Sequence, residues 1–167
     1  MVGATGSVAG KTKPDAVAGW SGPAEMGYLK DGVTRACDFS LNPNACYGQV
    51  GDPAIPGSGK GRAGYINCDL VNCAGLWYNA SPYTRATASM PPTFIANATN
   101  ELTPVIEAEQ FDDHLALDLG VDTRLCEVVG MFHAGALWDK TCVFPHEELA
   151  AATVWNATVR FVDLYVR

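Results

Sequence analysis

Two short apolar runs, Thr93 to Ala96 and Leu125, Cys126, Val128 and Val129, stand one helix apart, and this spacing constrains the chain more than any other feature. Runs rich in β-branched and aromatic residues suit strands covered on both faces. Pro91 and Pro92 lead into the first run, so a strand starts near Thr93. From Pro104 the period changes: Ile106, Phe111, Leu115, Leu117 and Leu119 recur at helical spacing, with Glu107, Glu109, Asp112, Asp113 and Asp118 on the wetter faces. Gly120, a residue tolerant of positive φ, stops that helix. A right-handed crossover of this length makes the two strands parallel neighbours, and their following loops then emerge at one edge of one sheet.

Both loops carry polar chemistry. The first holds Asn97, Thr99, Asn100 and Glu101; the second holds Gly130, Met131, Phe132 and His133. In α/β folds this edge is where ligands bind, so Glu101 is expected at a mouth and not in a core, and Glu101 or Asn100 can approach His133. A histidine that acts as a general base needs access to the proton it takes and a third group that holds it in its correct tautomer. His133 suits the base because it follows a strand end and is flanked by small Ala134 and Gly135, which leave access. By contrast, His114 among Asp112 and Asp113 reads as a surface residue, and His146 as the start of a helix.

The segment PPTFIANATNELTP, followed by a helix, a strand and GMFHA, resembles the acid- and histidine-bearing last third of an α/β-hydrolase of the carboxylesterase/lipase kind. The order AVAGWSGP, then NCAGLWYNASPYT, then PPTFIAN is similar to the carboxylesterase-like members, and the resemblance spans about Val2 to Arg167. It implies the C-terminal part of an α/β-hydrolase fold: a mostly parallel sheet of about three strands with flanking helices, forming one partial domain over residues 1–167. In that family the nucleophilic serine comes first on a G-x-S-x-G turn, then the acid, then the histidine. The opening residues look like the tail of the helix that follows this turn, so the serine and most of the oxyanion hole are expected upstream of Met1. The resemblance implies a Ser-His-acid ester hydrolase with a small-molecule ester as substrate and no metal or organic cofactor. Family members usually carry aspartate where Asn100 stands; an amide can orient an imidazole but cannot offset its charge, and Glu101 is the alternative.

Ser21 imitates a nucleophile elbow in G-W-S-G-P, but Trp20 crowds one side and Pro23 takes the place of a small residue. It reads as a loop serine at the pocket rim, after a short buried strand over residues 15–21. GATGSVAGKT lacks the first glycine of a phosphate loop, because Thr5 occupies that place. Residues 31–75 are punctuated by Gly, Pro and Asn and read as an irregular lid or cap. Trp77, Tyr78 and Tyr83 read as core. The last helix is expected to start at Pro145, with Glu147 and Glu148 in its first turn and Leu149, Val154, Trp155, Val159, Val162 and Tyr165 along it.

A net charge of −7 argues against nucleic acid and anionic membrane as general partners. No apolar run reaches the ~18 residues a membrane helix needs, so stable membrane insertion is not expected; the oligomeric state is left open. The 48% hydrophobic content of 167 residues can fill one core. Six cysteines favour a secreted or extracellular setting and permit three bridges in fifteen connectivities; Cys37–Cys46 and Cys68–Cys73 are the local pairs that are cheap to close, and Cys126 and Cys142 read as small buried hydrophobes. Metal binding lacks paired histidine or CxxC spacing. The sequons at Asn79, Asn97 and Asn156 read as coincidence. The rival functions are a non-catalytic binding or structural protein on the same scaffold, suggested by Asn100, and an unrelated disulfide-stapled binding domain.

Overall fold

The computed structural model describes residues 14–24, 72–101, 103–145 and 150–166. The glycine-rich opening, residues 31–71 of the cap-like stretch with Cys37, Cys46 and Cys68, and His146, Glu147 and Glu148 lie outside the described residues. The elements in order are β1 (Val17–Trp20), α1 (Ala74–Ala80), α2 (Pro82–Arg85), β2 (Thr93–Ala98), α3 (Val105–Asp113), β3 (Thr123–Val128) and α4 (Val154–Asp163). A π-helical turn, His114–Asp118, extends α3, and a 3-10 turn, Ala134–Leu137, follows β3. This is a mixed α/β fold around a three-stranded parallel sheet of order β1-β2-β3. Thr93 aligns with Val17 on one side and Thr123 on the other, so the three parallel strands start level; β1 ends opposite Ala96, two residues before β2 and β3 end at Ala98 and Val128, and the loops that follow all three leave from the same edge.

The period of β2 sorts its side chains between two layers. Phe94, Ala96 and Ala98 face a core shared with Cys126, Val128, Leu137, Val154, Ala157 and Phe161, while Ile95 packs with Met90, Phe111, Leu115 and Val121. Thus α4 covers one face and α3 the other. Phe94 and Phe161 meet at 5.7 Å between ring centroids and are both fully buried. Truncating either would cost about 3–5 kcal/mol through lost contact and the cavity left behind.

Several expectations are corrected here. The β1 strand is not buried: Ala18 and Gly19 are exposed, because no strand among the described residues covers its outer edge. Val129 lies past the end of β3 and is 73% exposed. Glu107 and Asp112, expected on wet faces of α3, are buried; Asp112 Oδ1 accepts the Thr123 hydroxyl at 2.8 Å, which compensates its desolvation. Leu117 is exposed because, two residues after Leu115, it points to the side of the helix opposite the face on which Phe111 and Leu115 are buried. Gly120 does end the helix, with φ 64.

The last helix starts at Val154 and not near Pro145, which occupies an exposed turn. Thr153 is the reason: its hydroxyl accepts the Asn156 N–H at 3.3 Å and caps the first turn. Trp77 is core, whereas Tyr78 is exposed and Tyr83 is half-buried against His114 at 4.3 Å between rings. His114 is accordingly packed between Tyr83 and Asp118 rather than standing free on the surface. Cys126 and Cys142 form a disulfide rather than lying as separate buried thiols. Cys73 is also disulfide-bonded.

Candidate functional site

The ends of all three strands converge on one carboxylate. Past the last residues of β2 and β3 the ladder continues: Thr99 N–H donates to Val128 O at 2.9 Å, and Asn100 N–H to Gly130 O at 3.0 Å. The Thr99 hydroxyl accepts the Gly130 N–H at 3.1 Å. The acid loop and the histidine loop are therefore zipped together before either one turns away. Asn97, fully buried at the end of β2, donates its side-chain amide to Thr103 O at 3.0 Å and pins the far side of the acid loop.

That loop delivers Glu101 to the interior. Only 2% of Glu101 is exposed, contrary to the expectation of a carboxylate at a mouth. Its Oε2 accepts the Ser21 hydroxyl at 2.7 Å and lies 3.6 Å from His133 Nδ1. The first distance is that of a good O–H···O hydrogen bond. The second is an ion-pair distance, longer than a hydrogen bond, and such contacts often shorten when a substrate complex forms. Burial pushes the Glu101 carboxyl up to about 7; the Ser21 hydroxyl and the Ala98 backbone act against this, and the neighbouring charge of Glu107 adds to it.

Asn100, the other candidate for the acid, joins the site through its backbone. Among the described residues its side chain makes no hydrogen bond to His133. His133 itself follows β3 in extended backbone and leads into the 3-10 turn, whose first residue, Ala134, has φ 45. The His133 side chain is 49% exposed. With Nδ1 toward Glu101, the other ring nitrogen, Nε2, is left to act as the base.

Ser21 was not expected in this role. It is buried behind Glu101, not placed at a rim, and it has φ 54 where β1 ends. Its hydroxyl donates to Glu101 and accepts the Ala134 N–H at 2.9 Å; its backbone N–H donates to Ala96 O at 2.8 Å, and its carbonyl accepts the Thr103 hydroxyl at 3.3 Å. One residue thus ties the end of β1 to the end of β2 and to both functional loops. Positive φ at the two non-glycine residues Ser21 and Ala134 concentrates backbone strain at this edge, as is common where structure serves a site. The available sequence signal was a small polar residue at the end of a strand whose neighbour ends in an acid loop.

Among the described residues no group of three or more His, Cys, Asp and Glu side chains could hold a metal ion. No described helix is long and apolar enough to cross a membrane. Comparison of the chain with known protein families, with curated proteins and with solved structures gives no significant match in any of the three.

Proposed function

We propose that Glu101 and His133 are the acid and base of a serine-type ester hydrolase of the carboxylesterase/lipase kind, on an α/β-hydrolase-like sheet. The observation that carries this reading is the approach, to 3.6 Å, of Nδ1 of the half-exposed His133 to the buried carboxylate of Glu101. A carboxylate in that position fixes the tautomer with hydrogen on Nδ1 and stabilises the imidazolium formed when Nε2 takes a proton. The order of strand, acid loop, helix, strand and histidine loop on a parallel sheet supports the same reading.

In the proposed reaction a serine hydroxyl gives its proton to His133 Nε2 as its oxygen attacks the ester carbonyl. His133 then returns the proton to the departing alcohol, and water repeats the cycle on the acyl-enzyme. The nucleophile is a serine other than Ser21, whose hydroxyl is occupied by Glu101 and Ala134. A second reading, in which Ser21 is the nucleophile and Glu101 its base, draws on the φ of 54 at Ser21 and the 2.7 Å hydrogen bond. Its 5% exposure opposes this, since an ester carbonyl must reach the oxygen. Asn100 was the motive for a non-catalytic protein on the same scaffold, and the inward turn of Glu101 weakens that motive. The Cys126–Cys142 bridge supports an oxidising compartment.

The test is hydrolysis of p-nitrophenyl acetate by the natural full-length polypeptide. His133→Ala and Glu101→Gln should each lower kcat on the order of 10²–10⁴-fold, the range for removing acid–base assistance. A wild-type protein that leaves a series of such esters uncleaved would end this reading, as would hydrolysis indifferent to His133→Ala.

A further inference from the structure

We infer that the disulfide between Cys126 and Cys142 is a positioning element for His133. The inference concerns the same dyad and takes its functional meaning from the reading above. The two cysteines are 16 residues apart in sequence and 5.1 Å apart between Cα atoms, and both are buried. Immediately beside them, Glu127 and Val143 exchange backbone hydrogen bonds at 2.8 and 2.7 Å. Together the cross-link and this bridge close the base of the loop that leaves the sheet after Val128 and returns at Thr141, with His133 near its middle.

The His133 side chain takes its place from that loop, whose backbone is also held by Ala134 N–H to Ser21 Oγ and by Asn100 N–H to Gly130 O. The side chain is half exposed, and its approach to Glu101 is longer than a hydrogen bond. The loop also carries backbone that is costly to maintain: Gly130 has φ 128 and Ala134 has φ 45. Such conformations persist only where the surroundings over-determine them. Cutting the cross-link enlarges the set of conformations open to the loop, because a closed ring becomes a longer, less constrained segment. Phe94, Ala96, Ala157 and Phe161 remain to hold the core to which Cys126 and Cys142 also belong, so the loss of the cross-link should fall chiefly on the loop.

The bridge also reaches the covering helix. Cys142 N–H donates to Ala152 O at 2.8 Å, and Val154 N–H donates to Lys140 O at 2.9 Å. The segment that the disulfide fastens to β3 is therefore the one on which the first turn of α4 is seated. The covalent link fixes the histidine loop between a buried position on β3 and the start of α4, which is a rigid frame for a half-exposed imidazole.

The experiment compares wild-type full-length protein with the Cys126→Ala/Cys142→Ala variant by backbone ¹⁵N relaxation, and measures ester hydrolysis on the same samples. Order parameters from Met131 to Gly135 should fall from about 0.85 to below about 0.6, while those from Thr93 to Ala98 stay unchanged. Where hydrolysis is present, kcat should fall on the order of 10–100-fold with KM little altered, as misplacement of a catalytic group does. Unchanged order parameters at His133 and Ala134 in the folded variant would overturn the inference. If the alanine pair fails to fold, Cys126→Val/Cys142→Ala, which refills the strand position, takes its place. Failure of that variant to fold would also overturn the inference, since the bridge would then hold the whole sheet. Wild-type protein without hydrolysis would sink the proposed reaction and leave the relaxation result to decide the positioning role.

Discussion

The Ser21 hydroxyl lies 2.7 Å from Glu101 Oε2 and accepts the Ala134 N–H at 2.9 Å, so one oxygen joins the buried carboxylate to the loop that carries His133. A hydroxyl is suited to this place because it can donate to one partner while accepting from another. An alanine there would leave a buried carboxylate short of a donor and the Ala134 amide without its acceptor.

Ser21→Ala should therefore destabilise the fold by about 1–3 kcal/mol, the penalty for stranding buried polar groups, measured by denaturant unfolding. It should also push the Glu101 carboxyl further up, because the Ser21 hydrogen bond is one of the influences holding it down. The pH–rate profile of ester hydrolysis would move to higher pH with it. An unchanged unfolding midpoint and profile would remove Ser21 from the site.

The carboxyl of Glu101 gives the protein a pH dependence of opposite sign to that of an ordinary salt-bridged acid. Its value in the fold, about 7, lies above the usual 4.5, so the folded state holds a proton that the unfolded state releases. The resulting stabilisation is complete below about pH 4.5 and is lost as pH rises through about 7. Relative to Glu101→Gln, wild-type stability should drop by about 3 kcal/mol across that interval, as read from unfolding curves at a series of pH values. Catalysis should rise over the same interval, since only the carboxylate can stabilise an imidazolium. A wild-type and variant difference that is flat with pH would contradict the burial of this charge.

Gly130 occupies the junction between β3 and the histidine loop with φ 128, and a Cβ built there would stand 2.7 Å from Phe132 Cε2. Gly130→Ala combines backbone strain with a ring that must move. It should cost about 1–3 kcal/mol and lower kcat more than it raises KM. A Gly130→Ala protein with wild-type Tm and kcat would show that the loop adapts freely and does not fix His133.

The strand at Thr93, the strand through Leu125, Cys126 and Val128, the connecting helix and the meeting of the loops were legible because periodicity and crossover handedness act locally and strongly, although the second strand starts two residues earlier, at Thr123. What escaped depended on side-chain direction or on distant partners. Asn100 and Glu101 are adjacent, and only the turn after β2 decides that the glutamate points inward. Cys126 pairs across 16 residues, where short local bridges elsewhere looked cheaper to close. Pro145, with acids after it, imitated a helix start, while the true cap was Thr153, eight positions further on. Ser21 carried the outline of a nucleophile turn, and its positive φ fits that outline, yet the hydroxyl serves the acid.

The most direct test of the account is covalent labelling of the natural full-length protein with a fluorophosphonate, followed by mapping of the modified residue. The account predicts one labelled serine that is not Ser21, labelling that persists in Ser21→Ala, and labelling lost in His133→Ala. Modification of Ser21 itself, or labelling that survives His133→Ala undiminished, would contradict the assignment of Glu101 and His133 as the acid and base of the site.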